Sequence, residues 1–133
     1  MEFTLHRPED HHFIRSVTDS GFHVNDVQYE GAIILSAKTV IPGWAAESIE
    51  ALTESMLQPV FELEPEIVLL GTGCEQLFPE PALMMSFYRR GIGIEAMTTH
   101  AACRTFNVLM SERRNAAAAM LPAGAQSMKG SSR

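Results

Sequence analysis

The chain has 133 residues, 46% of them hydrophobic and 20% charged, with a formal charge of −6. This is a globular composition, and a chain of this length buries about 65–70% of its unfolded surface without staples. No apolar run approaches the roughly 20 residues of a membrane helix, and two cysteines, Cys74 and Cys103, are too few for a disulfide scaffold or a structural zinc site.

The N-terminus, Met1 to Pro8, lacks a basic start followed by an apolar stretch. That predicts no secretory signal, a cytoplasmic protein and reduced thiols. One globular domain is expected over 1–122, with a disordered tail over 123–133, where periodicity and bulk both disappear.

In chain order, Phe13 to Val17 reads as extended, Asp19-Ser20-Gly21 as a turn, and Phe22-His23-Val24 as a second extended segment. After Asn25-Asp26, a strand is predicted over Gln28 to Leu35, with Gly31 marking a bulge. Ile49, Leu52, Met56, Leu57 and Val60 share a helical face, which predicts a helix from about Ala45 to Phe61, kinked or ended by Pro59. Glu47, Glu50 and Glu54 would form its solvated stripe. The apolar run Glu66 to Gly71 reads as a buried strand followed by a Gly71-Thr72-Gly73 turn. A second helix starts near Pro81 and ends with Gly91 at its C′ position. A strand over Ile92 to Ala96 precedes a third helix capped by Thr98 or Thr99. Ala116 to Leu121 is the last strand, although its four alanines favour a helix by propensity. The fold class is therefore α/β: a mixed central sheet with an N-terminal β region and a C-terminal βαβαβ segment.

Charge is unevenly spread. Residues 1–80 hold 14 acids and 3 bases, and residues 81–133 hold 2 acids and 7 bases. Either the halves neutralise one another on folding, or the arginines form a surface that steers a partner. Arg89, Arg90, Arg113 and Arg114 are the candidate interaction surface. An acidic chain whose arginines are not interleaved with aromatics is not expected to bind nucleic acid. Scattered histidines, no paired Cys/His spacing and no phosphate-loop motif predict no metal and no cofactor.

Parallel strands at 66–71 and 92–97 would bring their C-terminal ends to one edge, where open α/β sheets commonly bind ligands. Thr72, Gly73, Cys74, Thr98, Thr99, His100 and Arg104 are the candidate ligand-binding residues there, suited to an anion. The alternative is structural: a tight turn, helix caps, and an Arg104 paired with a carboxylate such as Glu95. A Cys74–His100 nucleophilic pair lacks an orienting third group, and no catalytic residue is assigned.

Several runs carry a resemblance. They are Gly71-Thr72-Gly73, Glu95 to Thr99, Ala101-Ala102-Cys103-Arg104-Thr105-Phe106-Asn107-Val108-Leu109 and Glu112-Arg113-Arg114. The chain resembles, over most of residues 15–122, a family of small domains that includes a mitochondrial complex I assembly factor and an adipogenesis-associated protein. Similar proteins usually carry aspartate where this chain has Thr98, and a small residue where it has His100. The resemblance implies a three-layer α/β fold and no established catalytic activity. It also implies a protein partner, which makes a non-catalytic, cytoplasmic assembly helper the expected function. A small anionic-ligand domain or enzyme using 71–74 and 98–104 is the alternative.

Overall fold

The computed structural model describes residues 11–127. Strands β1 (Ile14–Val17), β2 (Gly21–Val24) and β3 (Val27–Glu30) form a three-stranded antiparallel sheet in that order. Both hairpins are tight. Thr18 N–H donates to Gly21 O at 2.9 Å across the first, and Asn25 takes φ 51° in the two-residue turn of the second. Strands β4 (Ile33–Ser36), β5 (Val40–Pro42), β6 (Ile67–Gly71), β7 (Gly93–Met97) and β8 (Ala116–Met120) form a second sheet, ordered β5-β4-β8-β6-β7. In it β6 runs parallel to β7 and β8, whereas β4 is antiparallel to β5 and β8.

The predicted strand over 28–35 is two strands in two sheets. Gly31, at φ 85°, breaks it, so the glycine is a switch between sheets and not a bulge. The predicted helix over 45–61 is reduced to a 3-10 turn at Ser55–Leu57 and a four-residue helix α1 (Gln58–Phe61). Local side chains compete for the backbone upstream: Ser48 Oγ accepts from Ala51 N–H at 3.2 Å, and Thr53 Oγ1 from Met56 N–H at 3.3 Å. Trp44 Nε1 donates to Met56 O at 2.8 Å, pinning the irregular segment across its own length. Pro59 sits in the first turn of α1, where its missing N–H costs nothing. The periodic residues Ile49, Leu57 and Val60 are buried all the same, through a wrapped loop.

Helix α2 (Pro81–Arg89) links β6 to β7, and α3 (Thr99–Ser111) links β7 to β8. The first connection steps outward along the sheet and the second steps back past β6. Right-handed crossovers in opposite directions must lie on opposite faces. The core obeys this. Leu83 and Phe87 of α2 join Ile34, Val68, Ala117 and Ala119 on one face. Phe106 and Met110 of α3 join Ile33, Leu69, Ala118 and the small sheet's Phe22 on the other. Five consecutive buried residues make β8 the centre of the sheet, paired on both sides. Alanine's helix propensity of a few tenths of a kcal/mol per residue loses to that burial and two hydrogen-bonded ladders.

Both long helices end in the same motif. For α2, Gly91 N–H donates to Tyr88 O and Ile92 N–H to Phe87 O, each at 3.0 Å. For α3, Arg113 N–H donates to Met110 O at 3.0 Å and Arg114 N–H to Leu109 O at 2.9 Å. This pattern places the C′ residue in the left-handed region, at φ 72° for Gly91 and φ 59° for Arg113. Glycine takes that conformation freely and arginine does not. Arg113→Gly is therefore expected to stabilise the protein by about 1 kcal/mol, read as a higher urea midpoint at unchanged slope. A lower midpoint would contradict it.

Residues 123–127 are not a free tail. Ala123 and Ser127 are buried, and Gly124 N–H donates to Asp19 O at 2.9 Å. Residues 128–133 of the predicted disordered segment lie outside the described ones.

Candidate functional site

The loops leaving β6 and β7 turn to opposite faces, so the crevice where this sheet type holds ligands lies between their C-terminal ends. The chain fills it with its own atoms. Thr72, 1% exposed, donates its hydroxyl to Glu75 O at 2.6 Å, lies 3.1 Å from Met97 O, and accepts from Leu77 N–H at 3.3 Å. Thr72 N–H donates to Met97 O at 2.8 Å, and Gln76 Nε2 reaches Ala96 O at 2.9 Å.

Thr99 ties three segments together. Fully buried, it donates Oγ1–H to Leu121 O at 2.7 Å and accepts from Gly73 N–H at 2.9 Å. Its own N–H donates to Gly73 O at 3.0 Å. Thr98 is the cap of α3, accepting from Ala101 N–H at 3.3 Å. Cys74 is exposed, and its N–H donates to Ala125 O at 2.9 Å. Of the seven candidate ligand residues, Thr72, Gly73 and Thr99 thus come together in a hydrogen-bonded seam that the 121–125 segment completes, and Thr98 stands beside it as the cap of α3. Cys74 sits at its rim.

His100 and Arg104 go elsewhere. One turn apart on α3, they line a cleft of about 270 Å³ against β1, together with Arg15 and Cys103. Cys74 is not among the residues of that cleft. The thiol nearest His100 and Arg104 in the cleft is Cys103, and burial pushes it up to about 12 against a smaller opposing pull from Arg104. A thiol so protonated is a packing group and not a nucleophile.

The arginine surface is partly neutralised. Arg90 pairs with Glu54 at 3.1 Å and lies 3.9 Å over the Phe61 ring. Arg114 sits 3.5 Å from Glu66. Glu50 accepts from Ser127 Oγ. The predicted acidic stripe is therefore spent in part on local pairs, each of small worth at such exposure. Arg89 remains exposed in the last turn of α2.

Residues 14–121 match the family model described as "Protein of unknown function (DUF498/DUF598)". The chain belongs to this family. It is 35% identical over 112 residues to the cattle (Bos taurus) protein named NADH dehydrogenase [ubiquinone] 1 alpha subcomplex assembly factor 3. That match spans 83% of this chain and 60% of the relative. The chain thus spans under two thirds of the assembly factor it matches. It is 31% identical over 104 residues to the "13 kDa major membrane protein" of Francisella tularensis, covering 77% of this chain and 85% of the relative. A Bordetella pertussis solution structure, described as a Mth938-like domain, superposes with a TM-score of 0.80 at 27% identity, covering 98% of each chain. No helix among the described residues is long and apolar enough to cross a membrane.

For this DUF498/DUF598 chain the structure gives the helical run Ala101 to Asn107 a physical reading. Ala102 and Phe106 are fully buried under the sheet. Asn107 holds the edge of β1 as a strand would: its Oδ1 accepts from Ile14 N–H and its Nδ2 donates to Ile14 O, both at 2.9 Å. Sequence reasoning assigned Asn107 no role. Its signals were its place in the run that carries the family resemblance and a carboxamide on a helix that buries Phe106 and Met110.

Proposed function

We propose that this domain is a non-catalytic, protein-binding helper in the assembly of a multiprotein complex, working in the cytoplasm. The observation that carries it is the kinship with a named assembly factor at 35% identity over most of this chain. The filled crevice supports it, since the usual ligand position of the sheet is occupied by the chain's own hydrogen bonds. Two unbridged cysteines fit a reducing compartment.

The contact surface we propose is the outer face of α2. Met85 and Tyr88, three positions apart on one helical face, are 47% and 54% exposed, and Arg89 adjoins them. Methionine, tyrosine and arginine are the residue types that interfaces favour. Of the other three candidate arginines, Arg90 and Arg114 already have carboxylate neighbours and Arg113 follows α3 on the other face of the sheet, so Arg89 is the cation kept in this surface.

Affinity capture by the full chain is compared with capture by Met85→Glu/Tyr88→Glu, whose melting temperature should be unchanged. The expected result is a saturable partner retained by the native protein and reduced about tenfold or more by the variant. An identical captured set from both proteins would overturn the surface.

A further inference from the structure

The cleft between β1 and α3 belongs to neither the seam nor the α2 face. Phe13, Arg15, Ser16, His100, Arg104 and Asn107 are among its lining residues, and none of its lining residues is acidic. Two arginines sharing a cleft without a carboxylate are unusual in a chain of net charge −6. Among the described residues Arg104 makes no hydrogen bond or ion pair. Arg15 is fixed at its base, with Nε donating to Asn25 O at 2.7 Å, and its terminal nitrogens carry no bond among the described residues.

β1 is also an edge strand. Asn107 covers that edge at Ile14. Thr18 pairs with Gly21 across the hairpin, and Val17 lies opposite Phe22. The antiparallel alternation then turns the N–H and C=O of Val17 away from β2, toward the open side. The cleft thus offers an unpaired backbone donor and acceptor, two guanidinium groups and the 39% exposed Phe13 ring. Its volume of about 270 Å³ falls below the ~300–1,000 Å³ of pockets that enclose whole small molecules. A protruding segment suits it better.

We propose that this cleft binds an extended acidic segment of a partner protein. The segment's backbone meets the β1 edge at Val17, and a carboxylate is held by Arg15 and Arg104. Strand addition supplies the backbone contacts and forked guanidinium–carboxylate bonds supply the selectivity. The site stands on its own lining, and only the source of the acid rests on the protein-binding reading above.

The test uses the full chain, isotope-labelled, titrated at low ionic strength with an all-glutamate hexapeptide and separately with inorganic phosphate. Amide shifts report the location. Saturable shifts confined to residues 13–17 and 100–107 are expected from the peptide. Arg15→Gln and Arg104→Gln should each weaken the peptide about tenfold with unchanged melting. Peptide binding undiminished in the double variant would overturn the proposal, as would the absence of shifts along β1. Saturable phosphate binding without peptide binding would also overturn it, assigning the cleft to a small oxyanion. None of these failures touches the α2 surface, whose test is the capture contrast at Met85 and Tyr88.

Discussion

Gly73→Ala is expected to destabilise the protein by about 3 kcal/mol, combining a left-handed backbone penalty with overpacking. Gly73 lies at φ 97°, outside the range that side-chain-bearing residues tolerate. A Cβ built there would stand 2.3 Å from the Ala125 carbonyl oxygen, which is backbone and cannot rotate away. Accommodation would require the 72–76 turn to open or the 121–125 segment to lift. Either movement breaks bonds described above: Gly73 N–H to Thr99, or Cys74 N–H to Ala125. Urea unfolding reads the effect directly, and a loss under about 1 kcal/mol would show that the segment yields without strain.

Thr99→Val should cost about 2–4 kcal/mol, because it keeps the shape of the side chain and removes only the hydroxyl. Two buried backbone groups then lose their partner: the Leu121 carbonyl and the Gly73 N–H. Leaving such groups unsatisfied costs more than the bond itself was worth. Thr99→Ser retains the hydroxyl and should recover most of the loss. Equal destabilisation by Val and Ser would place the effect in packing of the methyl group and contradict the hydrogen-bonded seam.

The C-terminal βαβαβ segment was legible because its signals agree. Apolar runs, a proline at a helix start and a glycine at a helix end all mark the boundaries observed for β6, α2 and β7. The helix over 45–61 failed for a different reason. Periodicity records which residues are buried, not how, and Trp44 anchored on Met56 O buries Ile49 and Leu57 without a helix. Gly31 was legible as an interruption, but whether a chain bulges or changes sheets depends on partners far away in sequence. The short strand β5 exists because Val40, Ile41 and Pro42 meet β4, a pairing its three residues do not announce.

The candidate site shows the same limit. Thr72, Gly73, Thr98 and Thr99 follow the C-terminal ends of β6 and β7, as the strand–turn–helix pattern implies. Their employment was decided by residues 121–125, of which composition marks 123–125 as part of a loose tail. His100 and Arg104 were grouped with them by proximity in sequence. On α3 they sit beyond the first cap residues and line the β1 cleft. Thr98 sits at the cap itself, where the threonine hydroxyl accepts from Ala101 N–H.

Native-state hydrogen exchange tests the central claim, that the strand-end crevice is sealed by the chain's own seam. The amides of Gly73, Cys74 and Leu121 donate to Thr99 Oγ1, Ala125 O and Gly71 O. If the seam is closed, these three should exchange within about tenfold of core amides such as Ala118, through near-global opening. Exchange at close to the free-peptide rate, with β8 still protected, would mean that the crevice stands open and is available to a ligand.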